Sequence, residues 1–170
     1  CAYPQASTRM VKGALEVRER FERLVEDSAR LEPEAFAAAW ERFLVESDGK
    51  KWWGNCAWCS LGIAVLVGGR CVITTTLGAE GEQIQLTVED GRLSRTDLVV
   101  HFPIPMTRAW HNVVYTCSTM LLFKDENQVL EWSARHRIPR GDVQPVARVL
   151  ELAKRWYGEH LRRDWTKKSV

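Results

Sequence analysis

Apolar residues recur at helical spacing from Met10 to about Arg30 (Val11, Ala14, Leu15, Phe21, Leu24, Val25), with charged residues between them. That period predicts an amphipathic helix. Glu32-Pro33-Glu34 reads as a second helix start, with Pro in the first turn. Phe36–Val45 continues that helix and Ser47-Asp48-Gly49-Lys50-Lys51 ends it. From Trp52 onward the pattern changes. Leu61–Val67 is continuously apolar and fits either a short buried helix or a strand. Cys71–Thr76 and Gln83–Val88 read as strands, and Glu89-Asp90-Gly91-Arg92 as the turn that follows. Leu98–Phe102 is a further strand closed by Pro103 and Pro105. Asn112–Phe123, apolar and β-branched, reads as a buried strand carrying Cys117. Asp125 to about His136 returns to helix, and Asp142 to about Arg162 forms a long amphipathic closing helix.

This order predicts an α+β fold with an antiparallel or mixed sheet and flanking helices. Residues 1–50 form an N-terminal helical region and residues 51–170 the core domain. A net charge of +2 over 170 residues gives no electrostatic basis for binding nucleic acid or a membrane surface. The basic tail Arg162-Arg163-Asp164-Trp165-Thr166-Lys167-Lys168 reads as a solvated terminus. No apolar run approaches the roughly 18 residues that span a bilayer, and no signal peptide is visible. The chain begins at Cys1 rather than Met, as a processed or trimmed chain does. Its five cysteines are odd in number and too few for a disulfide scaffold, so reduced thiols in a cytoplasm are expected.

Cys56-Ala57-Trp58-Cys59 concentrates the candidate chemistry. Two thiols three residues apart admit a zinc half-site, a redox pair or a purely structural role. A closed zinc knuckle needs a second pair, and Cys71 and Cys117 each stand alone. A thioredoxin-like pair belongs after a strand in a βαβ unit, which the element order lacks. If Leu61–Val67 is helical, Cys59 lies at its N-terminus, where unpaired N–H groups and the helix dipole stabilise a thiolate. Cys117, by pattern alone, is a small core hydrophobe. Trp52, Trp53 and Trp58 crowd around the thiols and can exclude water there, whereas Trp40, Trp132 and Trp156 fall at core positions of helices. His101 reads as a partner-satisfied or exposed strand residue, His136 and His160 as surface groups. His111, just before the Cys117 segment, is the histidine to consider as an acid. Gly68-Gly69 ends the preceding element.

From Trp52 to His136 the chain resembles the organomercurial (alkylmercury) lyases. The similarity is carried by Ala57-Trp58-Cys59-Ser60-Leu61, Gly69, Gln83-Ile84-Gln85-Leu86-Thr87-Val88, Leu98–Pro103, Cys117 before Phe123, and Glu131-Trp132-Ser133-Ala134-Arg135-His136. The first fifty residues match poorly and look shorter than the family's winged-helix-like N-terminal region. The resemblance implies an alkylmercury-lyase-like core in which Cys59 and Cys117, as thiolates, bind the mercury of a small organometallic or thiol-bound metal substrate. Mercury is then substrate and product, copper(I) the other soft metal considered, and no cofactor is required. In the family an Asp three residues after the first cysteine assists protonation of carbon. That position is Gly62 here, and a further family cysteine falls near Leu77. Cys56 is the added thiol, expected to shuttle the proton or to supply a third sulfur ligand. A soft-metal protein that binds without turnover, or a lyase-fold enzyme with another substrate, is the rival expectation.

Overall fold

The computed structural model describes residues 42–161. The helices expected over Met10–Arg30 and from Glu32, the position Trp40 and the basic tail from Arg162 lie outside the described residues.

Two Asp-Gly dipeptides set the frame of the first sheet. Strand β1 (Phe43–Ser47) turns into β2 (Lys50–Gly54) through Asp48-Gly49, with φ of 47° and 74°. Positive φ at both central residues is the hairpin geometry that matches strand twist, and Asp-Gly adopts it at little cost. The helix expected over Phe36–Val45 is therefore strand at Phe43–Val45. The second Asp-Gly pair, Asp90-Gly91, joins β4 (Gln83–Glu89) to β5 (Arg92–Leu93) in the same way, as the sequence predicts. With β3 (Arg70–Thr76) these strands form one antiparallel sheet in the order β2-β1-β3-β4-β5. Alternation places Phe43, Val45, Cys71, Ile73, Ile84, Leu86 and Val88 in the core.

Helix α1 (Ala57–Val67) packs against β1, β2 and β3 on one side and α4 (Val146–Tyr157) on the other. Its apolar character all round suits burial between two neighbours, and this settles the helix-or-strand ambiguity of Leu61–Val67. Gly68, with φ of 72°, caps its C-terminus by donating its N–H to the Ala64 carbonyl. Gly54 is required at the crossing of β2 and α1: a Cβ there would lie 2.9 Å from the Ser60 backbone nitrogen.

A second antiparallel sheet has β6 (Val99–Phe102) between β7 (Leu122–Phe123) and β8 (Asp142–Pro145). The closing helix thus starts after Pro145, because Asp142–Pro145 pairs with β6. Between β6 and β7 lie a 3₁₀ turn (Met106–Asn112) and helix α2 (Val113–Thr119). The strand expected over Asn112–Phe123 is therefore helix at Val113–Thr119 and strand only at Leu122–Phe123. Asn112 Oδ1 accepts from the Tyr115 N–H at 2.9 Å, an N-cap that starts the helix. The hydroxyls of Thr116, Ser118 and Thr119 donate to carbonyls one turn back. That bonding outweighs the β propensity of the β-branched run. Helix α3 (Glu126–His136) is capped by Asp125 and buries Val129, Trp132 and Ser133.

Candidate thiol site

Cys56 is the N-cap of α1, and its Sγ accepts the Cys59 N–H at 3.3 Å. The same sulfur lies 3.2 Å from Cys59 Sγ. Cys117 comes from α2, remote in sequence, and its sulfur completes a cluster whose Sγ atoms all lie within 4.8 Å of one another. Three hydrogen bonds to backbone carbonyls hold the pieces together. The Ala57 N–H, directly after Cys56, donates to the Met120 carbonyl at 3.0 Å, just beyond Cys117. Arg42 donates to the Ser118 carbonyl at 2.6 Å, while Thr75 on β3 donates to the Arg42 carbonyl at 2.8 Å. The cysteine of α2 is thereby tied to the first sheet and to the first turn of α1.

The three thiols are electrostatically unequal. Hydrogen bonds from Cys117 and Cys56 pull the Cys59 pKa down to about 3, against the penalty of burial. Cys59 also occupies the first turn of α1, where the helix dipole favours negative charge. Cys56 is raised well above the ordinary thiol value, first by its hydrogen bond to Cys117, then by that to Cys59 and by burial. At Cys117 the hydrogen bond with Cys56 lowers the pKa, but the bond to Cys59, burial and the Cys59 charge outweigh it and leave the value at about 12. At neutral pH the cluster therefore carries one thiolate, on Cys59, solvated by two S–H donors. Such a trio titrates as a unit, with the first proton leaving easily and the next two held. Three sulfurs with no carboxylate or imidazole among them form a soft donor set.

Cys71 stands apart at the far end of α1. Its buried S–H points to the Gly68 carbonyl at 3.5 Å, and burial raises its pKa. His111 is exposed on the 3₁₀ turn and is not among the clustered groups. His101 is fully buried, its Nε2 donating to the carbonyls of Pro139 and Arg140 at 3.2 and 2.8 Å. Burial lowers its pKa; the strand histidine is partner-satisfied at Nε2, while its buried Nδ1 has no hydrogen-bond partner among the described residues. His136 is a surface group paired with Glu80. Trp132 is core, Trp156 half-buried. Of the three tryptophans expected around the thiols, Trp53 is 48% exposed and instead lines a depression with Arg42, Thr74 and Gln83. The alternation of β2 that turns Trp52 and Gly54 toward the core turns Trp53 outward.

Sequence reading missed Tyr157. The last residue of α4, it lies against α1, where its Oη accepts from Trp58 Nε1–H at 2.9 Å. Burial first, then the Cys59 charge, raises its pKa to about 12. The usable signal was the inward spacing Val146, Val149, Leu150, Ala153, Tyr157 together with a glycine, Gly62, inside an apolar helix.

The family model of alkylmercury lyase (MerB) matches residues 36–158, and the chain belongs to that family. A crystal structure of the mercury-bound form of MerB2 shares the fold with a TM-score of 0.54 and 17% sequence identity. The match covers 72% of this chain and 58% of that one, so this chain spans less than two thirds of its length. No curated protein matches the chain. Among the described residues, no helix is long and apolar enough to cross a membrane.

Proposed function

From this family membership we propose that the protein binds an organomercurial through Cys59 and Cys117 and cleaves its carbon–mercury bond by protonolysis. The observation that carries the reading is the sulfur cluster itself, one thiolate flanked by two thiols within 4.8 Å. The Cys59 thiolate attacks the mercury of R–Hg–X and displaces X⁻, forming a sulfur–mercury bond. Thiolates are the ligands a soft metal prefers, and metal coordination deprotonates a thiol outright. As Cys117 bonds to mercury it therefore loses its proton. The electron pair of the carbon–mercury bond takes up one proton, R–H departs, and Hg(II) remains on two sulfurs. One thiolate and one thiol are consumed for each R–Hg⁺, so charge and protons balance. Cys56, hydrogen-bonded to the cluster and buried, is placed to hold the proton in transit or to act as a third ligand. External thiol then exchanges onto the mercury and returns protons to the site.

The second reading, a thiolate protein that holds Hg(II) or Cu(I) without turnover, is favoured by one observation. The cluster contains no carboxyl group, and Gly62 stands where the family places its acid. Purified protein incubated with phenylmercury or methylmercury and excess thiol separates the two. The lyase releases benzene or methane repeatedly, and Cys59→Ser and Cys117→Ser each abolish the release. Stoichiometric mercury uptake with no hydrocarbon would sink the lyase reading. Cys56→Ser is expected to slow release without abolishing mercury uptake, and an unchanged rate would remove Cys56 from the mechanism.

A further inference from the structure

Gly62 is buried one helical turn after Cys59, and the space beside it is filled by α4. A Cβ built on Gly62 would lie 2.7 Å from Cδ2 and 2.9 Å from Cζ of Tyr157, and closer still to Cε2. The Cδ2–Cε2 flank of the phenol ring thus occupies the volume that a side chain at position 62 would take, with Cζ, which carries the hydroxyl, next to it. The ring is positioned from a second side: the indole of Trp58, adjacent to Cys59, lies 5.8 Å away centroid to centroid and donates to Tyr157 Oη. An indole N–H can only donate. Oη is therefore an acceptor in that bond, and its own hydrogen points elsewhere. After burial, the charge on Cys59 is the next influence on this hydroxyl.

We propose that Tyr157 replaces the missing carboxyl at position 62 and is the group that hands the proton to the departing carbon. The proposal rests on the lyase reading above. In the step, Tyr157 O–H gives its proton to carbon as the carbon–mercury bond breaks. The resulting phenolate takes the proton that Cys117 sheds on bonding to mercury. A phenol holds its proton at neutral pH (pKa about 10 in water), so the donor form is present before substrate arrives. The metal-bound thiol is the stronger acid, so the phenol is recharged downhill. The small residue at 62 and the aromatic residue at 157 are then two halves of one exchange. One helix offers no side chain at this place and the other brings a phenol to it.

Tyr157→Phe tests this directly, because it keeps the ring that fills the space over Gly62 and removes only the hydroxyl. Single-turnover release of benzene from phenylmercury is expected to fall roughly a hundredfold, as for loss of a general acid. Mercury uptake, followed by sulfur–mercury charge-transfer absorbance, should stay at parent stoichiometry. A second comparison guards against a folding artefact. Tyr157→Ala opens the space, and Tyr157→Ala/Gly62→Asp should release benzene roughly tenfold faster than Tyr157→Ala alone. Release by Tyr157→Phe at the parental rate would overturn the proposal while leaving the lyase reading intact. A parent protein that takes up mercury but frees no benzene would overturn the lyase reading and this proposal with it.

Discussion

At the scale of single residues, reactivity is set by who donates to whom among three sulfurs. Cys59 receives hydrogen bonds from two thiols and from its position in the first turn of α1, which brings its pKa to about 3. An ordinary thiol ionises near about 8.5, and Cys56 and Cys117 are pushed above that. Iodoacetamide at pH 5 should therefore label Cys59 alone, as peptide mapping by mass spectrometry would show. Labelling that begins only near pH 8, or that falls equally on Cys56 and Cys117, would contradict the assignment. The thiols were legible in the chain as candidates, because soft-ligand chemistry is written in residue type. The low pKa of Cys59 was legible in part, from its place at a helix N-terminus, but the two thiols that donate to it were not, because Cys117 arrives from an element remote in sequence. Tyr157 was harder to read for a related reason: its inward spacing on α4 and the glycine inside α1 are both visible in the chain, but only the fold brings the ring into the space beside Gly62.

At the scale of elements, α1 and α4 meet through that same complementarity. Alanine at position 62 would favour the helix by about 1 kcal/mol over glycine, but its methyl must enter the Tyr157 ring. Overpacking of this kind costs about 1–3 kcal/mol, so Gly62→Ala should be net destabilising in urea unfolding. In a Tyr157→Ala background the ring is gone, and the same substitution should become stabilising. A stabilising Gly62→Ala in the parent chain would show that the two helices can part without cost. The elements themselves were unevenly readable. Asp90-Gly91 announced its hairpin because plain strand alternation precedes it, whereas Asp48-Gly49 was read as a helix end because Phe36–Val45 also fits a helical period. Helix α2 was misread because β-branched residues dominate Val113–Thr119. Its threonine and serine hydroxyls find acceptors only once the helix exists.

For the whole molecule, the buried acidic protons make stability depend on pH in a definable window. Cys56, Cys117 and Tyr157 all have raised pKa values, the last two about 12. Between about pH 8.5 and pH 12 the unfolded chain releases protons that the folded chain keeps, so stability falls as pH rises. Cys59 acts in the opposite sense, but its stabilisation is fully developed once the pH exceeds the unfolded thiol value. Urea midpoints measured at pH 8, 9.5 and 11 should decline progressively, with the decline reduced in Cys117→Ser. Midpoints that do not change with pH would mean that the thiols are not held protonated by the fold.

The Ala57–Met120 bond brings together chain segments that are distant in sequence. A mercury atom joined to Cys59 and Cys117 would therefore close a loop of about 60 residues across the two sheets, as a disulfide does. A chain-entropy argument gives such a closure about 4 kcal/mol of added stability. The product complex would be the most rigid form of the protein, stapled by the atom it must give up. Turnover would then depend on small thiols reaching the mercury through the native fold, because the stapled chain resists opening to let it go.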